Sequence, residues 1–316
     1  GRKGKSMIPK IDWPEGKDFA FTIFDDPDED SVETLEVVYS FLRDLGFRTT
    51  KAVWPTRGDD MPKVGGATCE DERYLKLVLG LKEQGFEIGF HNATYHTSTR
   101  EQTTRGFEIF RQLFGHDPYS IANHTGCRES IYWGNARVSG IRQLIYNMLN
   151  LRRNGNANLS QGHIEESPLF WGDLCREKTK YVRNFVFGDI NTFKACPMMP
   201  YHDPERAFVN YWFASSEGAN VDSFNVTVSE ANQDRLAREG GACIMYAHFA
   251  YRFLENGKLN ERFKVLMARL SKMNGWFVPV NTLLDYILRT RGHYVITQKE
   301  RSALEARWMW HKITAT

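Results

Sequence analysis

The sequence lacks three features that would assign it to a specialised class of protein. Its five cysteines are scattered and never occur in Cys-x-x-Cys spacing, which argues against a disulfide framework and against a zinc site built from cysteines. Its apolar runs fall short of the roughly 18 uncharged residues that a membrane-spanning helix requires. The first residues lack the apolar segment of a secretory signal peptide. We therefore expect a protein without a membrane span, located in the cytoplasm rather than exported.

An excess of charge of one sign is also missing. The 316 residues include 41 Lys and Arg against 39 Asp and Glu, a formal net charge of +2. A chain so nearly neutral has no long-range field that would attract nucleic acid, so a partner must be recognised locally. Hydrophobic residues make up 41% and charged residues 25% of the chain, which is typical of a globular protein with a large core.

What the sequence does contain is a repeated alternation of strand and helix patterns. The predicted strands cover residues 18–24, 48–54, 86–90, 119–122, 181–187, 207–213, 242–247 and 276–280. The predicted helices cover residues 31–45, 70–84, 100–114, 138–151, 230–239, 259–273, 282–291 and 298–312. About seven such units predict an α/β fold, a distorted (β/α)7-8 barrel rather than an open sheet.

The pattern divides the chain into three parts. Residues 1–17 form an N-terminal extension, residues 18–292 the barrel, with long aromatic-rich loops at about 152–229, and residues 293–316 a C-terminal helical extension. The closing helix is aromatic and basic, and we expect it to pack on the outside of the barrel. Capping signals mark two helix starts, one at Asp30 with Glu33 and one at Thr99 with Gln102.

Polar residues follow three of the predicted strands, at the end of a parallel barrel where functional groups collect. Asp25 and Asp26 follow the first strand, and adjacent carboxylates repel one another unless a cation or a proton lies between them. His91 and His96 follow the third strand, and two imidazoles with a carboxylate form the ligand set of many catalytic metal sites. His248 follows a late strand, where a histidine can act as a general acid near neutral pH.

Three segments resemble motifs of one family. FTIFDDP at residues 21–27, EIGFH at 87–91 together with His96, and MYAH at 245–248 are similar to the first, second and last motifs of the NodB-homology polysaccharide deacetylases, carbohydrate esterase family 4. The order and spacing match over roughly residues 18–290. The resemblance implies a polysaccharide deacetylase-like barrel that removes acetyl groups from N-acetylated sugars with one divalent metal ion. Zinc is the expected ion, with cobalt, nickel or manganese as alternatives.

The resemblance also implies a role for each matched residue. Asp25 is the expected base, Asp26, His91 and His96 are the expected metal ligands, and His248 is the expected general acid. The sequence departs from the family in having four residues, rather than three, between the two histidines of the second motif.

The family's third and fourth motifs are absent. Asn123, His124, Arg128 and Trp133 occupy the region of the third, with Arg128 as the candidate that holds the base and His124 not expected to be a ligand. Asp189 is the candidate partner of His248. Two alternatives follow from these departures. One is an amidase of the same fold that acts on a small cyclic or linear amide, and the other is a carbohydrate-binding or scaffold protein without catalytic activity.

Overall fold

The computed structural model describes residues 10–154 and 159–315, with the backbone alone for 151–154. Residues 1–9 of the predicted N-terminal extension and residues 155–158 of the predicted loops lie outside the described residues. The strands of the described part are β1 (Phe19–Asp25), β2 (Thr50–Val53), β3 (Glu87–Phe90), β4 (Ser120–Ile121), β5 (Tyr181–Phe187), β6 (Tyr211–Ser216), β7 (Ala242–Ala247), β8 (Leu254–Glu255), β9 (Lys258–Leu259) and β10 (Gly275–Trp276).

Strands β1 to β7 pair in chain order, and β7 pairs back onto β1, so the sheet closes into a parallel seven-stranded barrel. The predicted fold class is confirmed. The barrel is distorted because β1 has two neighbours on one side: β10 near its start, with Phe19 opposite Gly275, and β2 at its end, with Asp25 opposite Lys51. The predicted last strand, 276–280, is shorter than expected, because Pro279 lacks an N–H for the sheet and instead precedes the first turn of a helix.

Helices surround the barrel. They are α1 (Val32–Asp44), α2 (Glu72–Glu83), α3 (Arg100–Phe114), α4 (Ile141–Asn154), α5 (Gly172–Lys178), α6 (Thr192–Ala195), α7 (Val221–Thr227), α8 (Glu230–Glu239), α9 (Glu261–Ser271), α10 (Val280–Arg291) and α11 (Gln298–Thr314). Among the described residues no helix combines the length and the apolar composition of a membrane-spanning segment.

The two predicted helix caps have different outcomes. The capping box of Thr99 and Gln102 is present at the start of α3. At α1 the cap is Ser31, whose side chain accepts the N–H of Thr34, and not Asp30. Asp30 is unavailable because its carboxylate is buried 2.7 Å from Nζ of Lys51.

The core lies inside the barrel and between the barrel and its helices. Strand β7 is buried along almost its whole length, as expected of a strand covered on both faces. Inside the barrel, the rings of Phe24 and Phe213 pack with centroids 6.1 Å apart. All five cysteines are buried and none forms a disulfide, in agreement with the sequence.

Helix α11 packs against α4 and β5 on the outside of the barrel. Trp308 on this helix is buried against Phe185 of β5, with ring centroids 5.1 Å apart, and stacks on Tyr146 of α4. The last turns of α11 reach the end of the barrel at which the parallel strands finish, and His311 and Lys312 line a cavity there.

Candidate metal centre and active-site cavity

A cavity of about 520 Å³ opens at the end of the barrel where the strands finish. Asp26, His91 and His248 line it, each directly after the last residue of a strand or close to it. Functional groups collect at this end of parallel barrels, and the volume falls within the range of ligand-binding pockets. The opposite wall comes from the loop before α4, from α4 itself and from α11, and it includes Trp133, Arg137, Tyr146, Trp308 and Lys312.

Asp25 and Asp26 point to opposite sides of the barrel wall, because successive side chains along a strand alternate between its faces. The Asp25 carboxylate accepts hydrogen bonds from Tyr39 on α1 (2.9 Å) and from the N–H of Phe249 (3.0 Å). It also lies 3.0 Å from Nζ of Lys51. Burial raises the pKa of Asp25, and these partners oppose that shift only in part. The residue that the resemblance implies as the base therefore lies outside the cavity.

Asp26 lines the cavity and is held there by Arg183 on β5. The guanidinium donates from Nη1 to Oδ1 (3.2 Å) and from Nη2 to Oδ2 (2.8 Å). Burial alone would raise the pKa of Asp26, but Arg183, together with His91 and His248, outweighs burial and holds this pKa well below its usual value. The carboxylate is therefore ionised at neutral pH and fixed in direction by a bidentate pair.

Asp28, His91 and His124 bring three potential metal-ligating atoms together. Nε2 of His91 lies 3.2 Å from Nδ1 of His124 and 3.4 Å from Oδ1 of Asp28, and Nδ1 of His124 lies 3.8 Å from the same oxygen. Tetrahedral zinc, with bonds of about 2.0–2.2 Å, sets its ligand atoms roughly 3.3–3.6 Å apart. The oxygen of Asp28 is buried and has no hydrogen-bond donor among the described residues. This group of atoms therefore fits a divalent metal ion.

The backbone fixes His124 in the state that a metal ligand needs. Its Nε2 lies 2.8 Å from the carbonyl oxygen of Val64, and because a carbonyl only accepts, Nε2 carries the proton and Nδ1 keeps its lone pair. Burial, reinforced by His91, lowers the pKa of His124 to about 4. The imidazole is therefore neutral at pH 7, as metal binding requires.

Asn92 joins the loop of His91 to the loop of His124. Its φ of +64° is in the left-handed region, which asparagine tolerates better than most residues. Its Nδ2 donates to Oε1 of Glu129 (2.9 Å), and its Oδ1 accepts the N–H of His124 (3.4 Å). Trp54 packs behind both imidazoles, with ring centroids 5.8 Å from His91 and 4.9 Å from His124.

His96 lies apart from this group, contrary to the expected ligand set of Asp26, His91 and His96. Its Nε2 accepts the N–H of Asp59 (3.1 Å), and its Nδ1 lies 2.8 Å from the carbonyl oxygen of Thr97. Both ring nitrogens are thus occupied by the backbone. The extra residue in the His91 to His96 spacing is consistent with this displacement.

His248 faces the carboxylates from the end of β7. Its Nδ1 lies 2.8 Å from the carbonyl oxygen of Ala219, and its Nε2 lies 3.5 Å from Asp26 and 3.7 Å from Asp28. Burial alone would lower the pKa of His248, but the two carboxylates outweigh burial and raise it. The carbonyl of Ala219 places one proton on Nδ1, and the raised pKa favours a second proton on Nε2, beside the two carboxylates.

The remaining predicted residues divide between the cavity and the rest of the molecule. Asn123 and Trp133 line the cavity, and Asn123 also forms two hydrogen bonds with the backbone of Ile131. Arg128 is exposed and outside the cavity lining, so Arg183, not Arg128, holds a cavity carboxylate. Asp189 pairs with Arg235 (2.9 Å) and is not a partner of His248.

Sequence reasoning gave no site role to Asp28, His124 or Arg183, although two of them carried a signal. His124 is the third residue after β4, close to a strand end like His91, which directly follows β3. Arg183, with Asn184 after it, interrupts the apolar pattern of β5, and arginine is rarely fully buried without a charged partner. Asp28 gave no separate signal, because acids before a helix are accounted for by the helix dipole.

No family model and no curated protein sequence matches the chain. Among solved structures, the chain is similar to a proposed polysaccharide deacetylase from Mycobacterium smegmatis, with a TM-score of 0.50 and 11% identity over 92% of this chain and 97% of that one. The barrel has the fold of a polysaccharide deacetylase. The resemblance implied by the three sequence segments is thus confirmed at the level of the fold.

Two further similarities have TM-scores below 0.5. The peptidoglycan deacetylase PdaC from Bacillus subtilis has a TM-score of 0.40 and 14% identity, over 92% of this chain and 97% of that one. A GH57-type branching enzyme from Pyrococcus horikoshii has a TM-score of 0.48 and 10% identity, over 89% of this chain and 72% of that one. The assignment of site residues within this deacetylase-like barrel therefore depends on the geometry described above.

Proposed function

We propose that this protein is a metal-dependent hydrolase that removes acetyl groups from an N-acetylated carbohydrate. The observation that carries the proposal is the convergence of Asp28, His91 and His124, at ligand spacing, beside the ionised carboxylate of Asp26 and the imidazole of His248. Metal-assisted hydrolysis of an amide uses three components: a cation, a base and an acid.

Asp28, His91 and His124 would hold the divalent ion, and zinc is the ion whose four-coordinate preference best matches two imidazoles and a carboxylate. Cobalt, nickel and manganese bind the same donor types and remain alternatives. Such an ion, when bound, acidifies water and polarises the acyl oxygen. Oδ1 of Asp28 also lies 3.7 Å from Nε2 of His248, so that the expected acid lies next to the metal site.

Asp26 would act as the base. It is ionised, it faces the cavity, and Arg183 holds both of its oxygens in a fixed direction. A base with a strongly lowered pKa is a weak one, so we expect Asp26 to act mainly by orienting a water molecule and receiving its proton as the bond to carbon forms.

His248 would act as the acid. Its Nδ1 is held by a backbone carbonyl, its pKa is raised, and a proton on its Nε2 would face the same space as Asp26. An amine must be protonated before it can leave a tetrahedral carbon, and His248 is the group that can deliver this proton.

A small-amide hydrolase is a second candidate, because the cavity is bounded. Helix α11 forms one wall through Trp308, His311 and Lys312, and the volume of about 520 Å³ suits a small ligand better than a long polymer. A short oligosaccharide and a cyclic ureide would both fit this space. Acetate release from N-acetylated oligosaccharides, assayed in parallel with ureide ring opening, distinguishes the two.

The decisive experiment compares His124→Ala with His96→Ala. Each protein is purified without chelator, its zinc content is measured by mass spectrometry, and acetate release from N-acetylated oligosaccharides is assayed. We expect the His124 variant to lose the ion and its activity, and the His96 variant to keep the ion. Metal loss in the His96 variant alone would refute the ligand set, and a wild-type protein that binds no metal and releases no acetate would favour the scaffold alternative.

A further inference from the structure

The cavity has two ends of different chemical character. One end contains Asp26, Asp28, His91 and His248, the groups assigned above to catalysis. The other end is lined by the side chain of Arg137 among three aromatic rings. The proposed reaction at the first end makes no use of the second.

Arg137 lies between two tryptophan rings. The central carbon of its guanidinium is 3.9 Å from the ring centroid of Trp133 and 4.3 Å from that of Trp308. Both faces of the guanidinium are thus covered, and the side chain is buried. Tyr146 stacks on the same Trp308, with ring centroids 5.8 Å apart. Such a sandwich leaves only the edge of the guanidinium, where its N–H groups are, for a ligand.

The hydrogen-bond donors along that edge are only partly paired. Nε donates to the carbonyl oxygen of Gly134 (3.2 Å), and one N–H each of Nη1 and Nη2 reaches the Asn184 carbonyl oxygen and the Tyr146 hydroxyl, both at 3.4 Å. A guanidinium has five N–H donors, so two remain. Within residues 10–154 and 159–315, no carboxylate oxygen forms an ion pair with Arg137, whereas Arg183 in the same cavity has one in Asp26.

A buried guanidinium without a carboxylate is costly, and burial together with the nearby charge of Arg183 lowers the pKa of Arg137. Buried charges in proteins are normally paired. A ligand that brings a negative charge would complete the hydrogen bonds of this edge in the bidentate geometry that arginine offers to oxyanions.

We propose that the substrate carries an oxyanion, a carboxylate or a phosphate on the sugar, and that this group binds the free edge of Arg137 between Trp133 and Trp308. The inference deepens the proposed function, on which it rests, by naming the substrate class. Arg137 then acts in binding and selectivity, and it takes no part in the bond cleavage.

The test uses three N-acetylated sugars that differ only at carbon 6: N-acetylglucosamine, N-acetylglucosaminuronate and N-acetylglucosamine 6-phosphate. Calorimetry with the full chain gives the affinity for each sugar, and acetate release gives kcat/KM. We expect one of the two anionic sugars to bind at least about tenfold more tightly than the neutral one. This preference should weaken as the salt concentration rises. The sugar that binds more tightly distinguishes carboxylate from phosphate.

Arg137→Gln should bring the anionic and neutral sugars to within about threefold of each other, whereas the exposed Arg105→Gln on α3 should keep the wild-type ratio. Arg137→Lys keeps the charge and should keep part of the selectivity. It serves as the test variant if Arg137→Gln folds poorly. Equal affinities of the wild-type protein for all three sugars would overturn the inference, even if acetate is released from each. Arg137-dependent anion binding without acetate release would instead contradict the proposed function and leave the anion site standing.

Discussion

At the end of strand β1, two adjacent carboxylates have different roles: that of Asp25 stabilises the barrel wall, and that of Asp26 faces the cavity. Asp25 contacts Lys51 and Tyr39 outside the barrel, and Asp26 contacts Arg183 within the cavity. Because strand side chains alternate, both cannot face the same space. The pair therefore separates into a structural acid and an acid available for chemistry.

This separation predicts opposite effects for two equivalent substitutions. Asp26→Asn should lower kcat by about 10²–10⁴-fold with the metal retained, since a general base contributes about that much. Asp25→Asn should instead lower the free energy of unfolding by about 1–3 kcal/mol, since the buried hydrogen bonds to its carboxylate are weakened while Asp30 still pairs with Lys51. Acetate release by the folded fraction, zinc content and urea unfolding measure the three quantities.

Both variants serve as controls for each other, since each replaces one carboxylate by an amide of the same shape. If Asp25→Asn abolished turnover in a fully folded, metal-loaded protein while Asp26→Asn left it intact, the role implied by the sequence resemblance would be right and the geometric assignment wrong.

Among the helices, α11 both packs against the barrel and lines the cavity. Trp308 contacts Phe185 on β5, Tyr146 on α4 and Arg137 beside the cavity. Trp310, two residues later, faces solvent and is 69% exposed. The helix therefore offers one buried and one exposed tryptophan for comparison.

We expect Trp308→Ala to lower the free energy of unfolding by about 3–5 kcal/mol, the cost of deleting a buried large side chain. Trp310→Ala should change it by less than about 0.5 kcal/mol. Urea unfolding at one pH measures both. Equal effects of the two substitutions would show that α11 does not dock on β5 and α4 in solution.

Long periodic elements could be predicted from the sequence, and the site could be predicted only in part. The bounds of α3, β5 and β7 match the prediction because each has a sustained apolar pattern with clear stops. The two-residue strand β10 is shorter than predicted because pairing there ends close to Pro279. Loops carry no period, so the sequence did not show that His124 turns inward while His96 is held by the backbone of Asp59.

Over the whole molecule, the two ends of the barrel have different roles. The end with the cavity contains the carboxylate of Asp28, whose Oδ1 is buried without a hydrogen-bond donor among the described residues. The opposite end is closed by residues that start the strands, among them Thr50 of β2 and Glu87 of β3, which face each other in register. In parallel barrels the residues at this second end contribute to stability.

The protonation of Glu87 allows the contribution of this second end to stability to be measured. Its Oε1 accepts hydrogen bonds from Thr50 (2.6 Å) and from the N–H of Asn281 (3.0 Å), and its Oε2 is buried without a donor among the described residues. Burial raises the pKa of Glu87 to about 7. The folded state therefore keeps a proton that the unfolded chain releases near its ordinary pKa of 4.5.

Proton linkage gives the direction in which Glu87 changes the free energy of unfolding with pH. Between about pH 4.5 and pH 7 the folded state binds more protons at Glu87 than the unfolded state, so this residue lowers the free energy of unfolding as the pH rises, by about 3 kcal/mol in total. Glu87→Gln cannot titrate. We expect it to match the wild-type stability at pH 4 and to exceed it by up to about that amount at pH 8, whereas the exposed Glu83→Gln should follow the wild-type curve.

Urea unfolding across this pH range measures the difference, and the zinc content of Glu87→Gln should equal that of the wild type because the substitution lies at the other end of the barrel. Parallel stability curves for the wild type and Glu87→Gln would contradict the raised pKa. A loss of metal in this variant would contradict the independence of the two ends, because the effect would then have crossed the whole length of β3 to reach His91.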